Sequence, residues 1–364
     1  MTPFATRREH LVRWLIEQEL DAVLVTNPVN VSYLTNFSGD SSYLLVGRQQ
    51  ALLVSDGRFV IQLQEECPGL ALHVRPPVQR VTAAAAEVIV KVGCRRVGID
   101  AAHVTLAEME LLRELAPTVE WKAGIGAVEQ LRVVKDEHEI AALRSALRMA
   151  EQSFAELRRS ITRQDTEKSL GDRMEALLRG HGATRASFPT IAAVGPRSAL
   201  PHCPPSELAL GDAELLLLDW GARERFYCSD LTRVMALGTV TAKFAKVYAA
   251  VLRAQQAAIA MIRPGVQGQA VDAAARAALE ADGLADAFNH GLGHGLGLEV
   301  HEAPAIRPGS QATLAPGMVV TVEPGAYLPG WGGIRIEDDV LVTPDGCEVL
   351  SSLPRDLEQN LLKL

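Results

Sequence analysis

Apolar positions recur with two different periods along the first part of the chain. In "RREHLVRWLIEQEL", Leu11, Trp14, Leu15 and Leu20 fall on one helical stripe. The runs "DAVLV", "SYLLV", "QALLVSD", "LALHVR" and "RRVGID" are short and apolar and read as buried strands. Helical segments lie between several of them, which predicts a small α/β domain. The stretch "WKAGIGAVEQ" is taken as the boundary, dividing the chain into residues 1–126 and 127–364. "VKDEHEIAALRSALRMAEQSFAELRRS" then predicts a long amphipathic helix with Ile140, Leu143, Leu147, Ala150, Phe154 and Leu157 inward. Two further helical stretches, about 240–262 and 268–281, are set among glycine-punctuated strands, so the second domain reads as α+β.

Composition narrows the picture. The chain has 364 residues, 48% hydrophobic and 22% charged, as expected of a soluble globular protein of two domains. A net charge of −8 and the lack of a basic cluster argue against a nucleic-acid surface. No apolar run reaches membrane-spanning length, and "MTPFATRREHLVRWL" has charges where a signal peptide would have its apolar core. Five scattered cysteines without a C-x-x-C pair predict reduced thiols in a cytoplasm.

The segment "FNHGLGHGLGLEVHEAP" holds His290, His294 and His301. H-x-x-x-H on a helix would suggest zinc, but glycines at 291, 293, 295 and 297 each cost a helix roughly 1 kcal/mol relative to alanine. In an extended chain His290 and His294 share a face, and the glycines let the backbone approach a neighbour closely. His301, an odd number of residues further on, needs a bend to join them. The segment alone is explained as well by a glycine-rich strand whose histidines are satisfied by the backbone.

Two hairpins bring carboxylates together. In "LLLLDWGARERFYCSDLTRVMAL", strands Leu215–Trp220 and Phe226–Leu237 joined by a turn centred between Glu224 and Arg225 would set Asp219 opposite Asp230. In "MVVTVEPGAYLPGWGGIRIEDDVLVT", strands Met318–Glu323 and Ile334–Val342 folded about Gly330 would set Glu323 opposite Glu337. Like charges directly across a ladder repel, and aspartate is disfavoured in strands, so these pairs imply a compensating cation or a shared proton. Either pair alone reads as a surface accident. Together with a glycine-flanked histidine they form a set of four carboxylates and one imidazole, whose charge two divalent cations balance. An oxygen-rich set without thiolate suits Mn²⁺, Co²⁺ or Zn²⁺. Two such ions a few ångströms apart activate water and polarise a carbonyl, which is hydrolase chemistry.

These three segments resemble the pita-bread metallopeptidases, in the branch of Xaa-Pro aminopeptidases (aminopeptidase P) and Xaa-Pro dipeptidases (prolidases). "TNPVNVSYLTNFSG" resembles the creatinase-type N-terminal domain of the same branch. The resemblance implies five metal ligands, Asp219, Asp230, His294, Glu323 and Glu337. Asp230 and Glu337 would bridge two metals, Asp219 would serve one, and His294 with Glu323 the other. It implies substrate-contacting roles for His202 in "SALPHCPP", for His301, and for His290 near the proline side. By itself His202 would pass for an ordinary loop histidine. Glu323 is also expected to carry a proton to the leaving nitrogen. By alternation Arg335 and Thr232 share the faces of Glu337 and Asp230 and could orient the carboxylates, although a surface ion pair and a plain strand former explain them too. Asp338 should point to the other face, and Asp338 and Asp339 are left outside the ligand set.

The resemblance further implies a homodimer in which the loop around residues 36–42 reaches the neighbour's site. In "HEAPAIR", Ala305 stands close after the "HE" pair where some prolidases carry an arginine for the dipeptide carboxylate. The expectation is therefore an Mn²⁺-dependent Xaa-Pro aminopeptidase acting on peptides with proline second. A dipeptidase is the alternative. A non-peptidase or binding-module relative is a remote one, because such relatives usually lose metal ligands.

Overall fold

The computed structural model describes residues 2–124 and 126–364, which form two compact units, 1–132 and 133–364. The division falls after 132 rather than 126, because the short helix Glu129–Arg132 belongs with the first unit. Among the described residues no helix is long and apolar enough to cross a membrane. All five cysteines are free thiols.

The first unit is built on a six-stranded sheet. Its order is Ala71–Arg75, Ala51–Asp56, Tyr43–Gly47, Ala22–Val25, Arg96–Asp100 and Glu120–Gly124. Five of these are the five apolar runs of the sequence. The sixth lies inside the stretch taken as the boundary. It is an edge strand with no fully buried residue, so it has no apolar run to announce it.

In the second unit, strand Leu215–Trp220 is buried along its whole length. Leu215 and Leu217 pack with Val234 and Ala236 against helices Ala242–Met261 and Gly268–Ala281. Leu216 and Leu218 pack with Met235 against helices Glu137–Ser160 and Glu167–Gly180. A strand covered on both faces loses its alternation and becomes a continuous apolar run, each leucine contributing about 1.5–3 kcal/mol of burial.

Helix Glu137–Ser160 starts three residues later than the apolar pattern suggests. Asp136 caps it, accepting from Glu139 N at 2.9 Å while Glu139 Oε2 accepts from Asp136 N at 3.1 Å. Leu143, Leu147, Ala150, Phe154 and Leu157 are buried as expected, while Ile140 is only half-buried. The helix locks onto the sheet through Trp220, which stacks on Phe154 at 4.7 Å and donates to Ala150 O at 3.0 Å.

Candidate metal centre

The first hairpin pairs Leu215–Trp220 with Leu231–Leu237, and its register differs from the expected one. Asp219 faces Thr232, not Asp230. Glu224 pairs with Tyr227, so the turn is Arg225–Phe226, with Arg225 in the left-handed region at φ 51°. Moving a turn centre by one residue moves every pairing by two, and a shift of two keeps each side chain on its face. Asp219 and Asp230 therefore still share a face, on a diagonal.

The second hairpin has the expected register. Val322 faces Asp338 and Gly325 faces Arg335, which sets Glu323 across from Glu337. The two glutamates occupy a break between two ladders, where the backbone turns to other partners. Glu323 N donates to Leu292 O at 2.9 Å, and Glu337 N donates to Thr232 O at 3.2 Å. The second of these bonds joins the two hairpins.

His294 sits on the three-residue strand Gly293–Gly295, between Glu302–Ile306 and Val319–Val322. Its neighbours must be glycine. A Cβ on Gly293 would lie 2.1 Å from Thr321 O, and one on Gly295 2.1 Å from Ala303 O. The chain reverses after Gly295, which pairs with Glu302, and this is the bend that brings the His301 ring to 4.2 Å from that of His294. His294 Nδ1 donates to Gly295 O at 3.1 Å, so backbone satisfaction and metal binding are compatible here. The bond fixes the tautomer and leaves Nε2 as the atom available to a metal. Nε2 lies 3.2 Å from Glu323 Oε1 and 3.7 Å from Asp230 Oδ2.

All five expected ligands line one cavity of about 500 Å³, together with His202, His290, His301 and Arg335. Potential ligand atoms of Asp230, His294 and Glu337 lie within 4.8 Å of one another. Burial, then Glu337 and Asp219, hold the Asp230 carboxyl well above its ordinary range. Burial, then Glu323 and Asp219, do the same to Glu337. Burial also raises Asp219, against the pull of Arg335. Burial acts to raise Glu323 and to lower His294, but their mutual hydrogen bond and attraction outweigh it, so Glu323 ends low and His294 high. Asp219 Oδ1 is buried with no hydrogen-bond partner. Four carboxylates, one of them with an orphaned oxygen, and an imidazole facing one cavity fit a pair of divalent cations.

Arg335 and Thr232 lie behind the ligands, as alternation placed them. Arg335 Nη2 donates to Asp219 Oδ2 at 2.5 Å and Nε donates to Thr232 Oγ1 at 3.1 Å. Thr232 Oγ1 in turn donates to Glu337 Oε2 at 2.5 Å. Asp338 turns away to Arg233 and Gln255, at 2.7 and 2.8 Å. Asp339 accepts from Asp230 N at 3.3 Å.

Two residues escaped the sequence reading. Thr321 Oγ1 accepts from His294 N at 3.1 Å and donates to Glu323 Oε1 at 3.2 Å. Tyr327, whose hydroxyl is pushed up to about 12 chiefly by burial, bonds both His290 Nε2 and Arg335 Nη1 at 2.8 Å. Both sit at even spacing from Glu323, so the alternation that picked out Arg335 from Glu337 would have found them. Another group of potential ligands, Asp100, His103 and Glu129 in the first unit, is largely half-exposed, and His103 is already bonded to Asn27 at 2.8 Å.

A model of the metallopeptidase family M24 matches residues 141–344, which include all five expected ligands. The chain belongs to metallopeptidase family M24. A creatinase/prolidase N-terminal domain matches residues 7–134. Among M24 relatives, the Xaa-Pro dipeptidase of Pyrococcus furiosus is 33% identical over 96% of this chain and 99% of its own length. The solved structure of an Xaa-Pro dipeptidase from Bacillus anthracis superimposes with a TM-score of 0.94 at 34% identity, over 99% of this chain and 100% of that one. That of an X-Pro aminopeptidase from Thermotoga maritima MSB8 gives 0.89 at 32% identity, over 95% and 98%. The fold is thus an M24 catalytic domain preceded by a creatinase-type N-terminal domain.

Proposed function

We propose that this centre hydrolyses the bond between an N-terminal residue and proline, with Xaa-Pro dipeptides as principal substrates and Mn²⁺ as the metal. The observation that carries the reading is the convergence of Asp219, Asp230, His294, Glu323 and Glu337 on one cavity whose other walls include Phe188, Ile191, Pro201 and Val300. Such walls accept a pyrrolidine ring beside the donors.

The five donors would hold two divalent cations, whose chemistry is to acidify water and polarise a carbonyl. Glu323, hydrogen-bonded to Thr321, would carry the proton to the proline nitrogen as the bond breaks. His202 and His301, both exposed to the cavity, would donate to the carbonyl oxygen as charge develops on it. His290 serves differently. Both its ring nitrogens are already bonded, to Gly291 O at 2.7 Å and to Tyr327 at 2.8 Å, so it offers substrate a carbon edge.

Support for dipeptides comes from the Pyrococcus furiosus and Bacillus anthracis proteins, both named Xaa-Pro dipeptidase. A second reading, removal of the first residue from longer peptides, is favoured by the lining of the cavity. Among the described residues its only Lys or Arg is Arg335, which is committed to Asp219, Tyr327 and Thr232, so no fixed cation awaits a proline carboxylate. The Thermotoga maritima protein is named an X-Pro aminopeptidase.

The deciding experiment compares Ala-Pro with Ala-Pro-Ala on chelator-stripped protein given back Mn²⁺. Faster cleavage of Ala-Pro supports the dipeptidase. Faster cleavage of the tripeptide gives the second reading. No cleavage of either with metal bound overturns both. A cytoplasmic homodimer completes the proposal, supported by the five free thiols for the compartment and by the family resemblance for the dimer, and sedimentation of the purified protein tests the latter.

A further inference from the structure

The wall of the cavity that carries His202 is a loop with little structure of its own. Beyond the single turn Gly195–Ala199 it has no helix or strand before Leu215, yet Pro201, His202, Cys203, Pro204 and Pro205 all face the cavity. Something outside the loop must set its shape.

Glu167 does not line the cavity. It opens helix Glu167–Gly180 and its side chain is fully buried. Its Oε1 accepts from Val194 N at 2.9 Å and Arg197 Nε at 3.0 Å. Its Oε2 accepts from Arg197 Nε at 2.8 Å, Ser206 N at 2.9 Å and Ser206 Oγ at 2.6 Å. Val194 precedes the loop and Ser206 follows the cavity-lining run, so one carboxylate ties the two ends together. Arg197, gripped by Glu167, reaches across to Pro204 O with Nη2 at 2.8 Å.

A buried carboxylate is tolerated only when its bonds are complete. The loop ends must therefore close on Glu167 together, and the ring between them is held in one shape. Two other anchors, Ser198 Oγ to Gly333 N at 2.7 Å and Pro201 O to Arg335 Nη1 at 3.4 Å, hold the stretch before His202. After it, the backbone bonds Lys168 N to Ser206 O at 2.9 Å and Glu167 N to Leu208 O at 3.0 Å hold only the far end, and the Glu167 carboxylate is what ties that end to Val194 and Arg197.

We propose that Glu167 is the positioning residue of the His202 wall, setting where that ring meets the substrate without touching substrate or ligands. The inference rests on the proposed reading for the role of His202.

The test is Glu167→Gln, which keeps the size and replaces one acceptor oxygen with an NH₂ that cannot accept from Arg197 or Ser206. Protein labelled with ¹³C at the histidine ring gives a signal for His202, assigned by its loss in His202→Ala. Glu167→Gln is expected to shift or broaden that signal and leave metal content unchanged. It should lower kcat/KM for Ala-Pro about tenfold. The double variant should be no worse than His202→Ala alone, as expected when one residue acts through the other.

An unmoved His202 signal, or losses that multiply in the double variant, would overturn the proposal. Should wild-type protein cleave no Xaa-Pro peptide while the His202 signal still moves, the functional reading fails and the positioning role stands. Ser206→Ala removes the hydroxyl's bond to Glu167, with the one it accepts from Leu208 N at 3.2 Å, and gives the same test, with a smaller expected loss, if Glu167→Gln does not fold.

Discussion

Tyr327 donates its hydroxyl to His290 Nε2 at 2.8 Å, and this bond decides what His290 can do. Nδ1 already donates to Gly291 O at 2.7 Å, and burial lowers the ring's basicity, so the ring is neutral with Nε2 as acceptor. The same hydroxyl accepts from Arg335, whose other arm holds Asp219. Tyr327→Phe bares the Nε2 lone pair and removes one acceptor from a buried guanidinium. We expect kcat/KM to fall about tenfold with metal content retained, measured by steady-state kinetics and elemental analysis. An unchanged kcat/KM would show that the hydroxyl bridge has no part in positioning.

Gly295→Ala should be among the most damaging small substitutions in the chain. The added Cβ would meet Ala303 O at 2.1 Å, and neither backbone can yield without parting the strand that carries His294 from the one that follows His301. The expected cost is roughly 3 kcal/mol or more, with loss of metal capacity. Gly346→Ala, where a Cβ meets nothing within 4 Å, should stay within about 0.5 kcal/mol. Thermal melts of the two variants side by side check the contrast. Similar melts would mean that the close approach at Gly295 relaxes.

The convergence of the five expected ligands on one cavity was legible because it depends on which face a residue occupies, and faces survive small errors. The second hairpin was placed in register because its turn is symmetric about Gly330. The first was missed by one residue because its turn has no glycine or proline and instead puts Arg225 at positive φ. That error moved pairings by two and left both aspartates facing inward. Glu167 gives no such signal. Its partners are 27 to 39 residues away, and no local pattern ties a helix's first carboxylate to a loop beyond the next strand. The strand Glu120–Gly124 was absorbed into the boundary for a related reason, since an exposed edge shows no alternation.

Asp230→Asn should stabilise the chelator-stripped protein while destroying its metal site. A carboxyl whose pKa is raised by folding binds its proton more tightly folded than unfolded. Its ionisation therefore opposes folding: the cost is absent below the unfolded value near 4, grows as pH rises, and is complete above the raised folded value. Removing one charge from the repelling set should recover on the order of 1 kcal/mol at neutral pH. This corresponds to a rise in Tm of about 2–4 °C, shrinking towards pH 4. Melts in chelator across that range test it. A variant that melts lower than wild type at pH 7 would show that the attraction of the carboxylate to His294, at 3.7 Å, outweighs its repulsion by the other carboxylates.

Metal uptake should release protons. A donor binds a cation only after losing its own proton, and four donors here hold protons more tightly than usual: Asp230 and Glu337 through burial and repulsion among the carboxylates, Asp219 through burial, and His294 through Glu323. Protons and metal therefore compete for the same atoms, and apparent affinity must rise with pH until the last donor is ionised. Adding Mn²⁺ to stripped protein in unbuffered solution is expected to release protons, and fewer as the starting pH is raised. Neutralising the carboxylates by substitution should remove part of that release, and Asp230→Asn is expected to lower it. Uptake of metal with no proton released would mean that the donors are fully ionised beforehand. In that case some other cation must offset their charge, and Arg335, paired with Asp219, is the residue to substitute next.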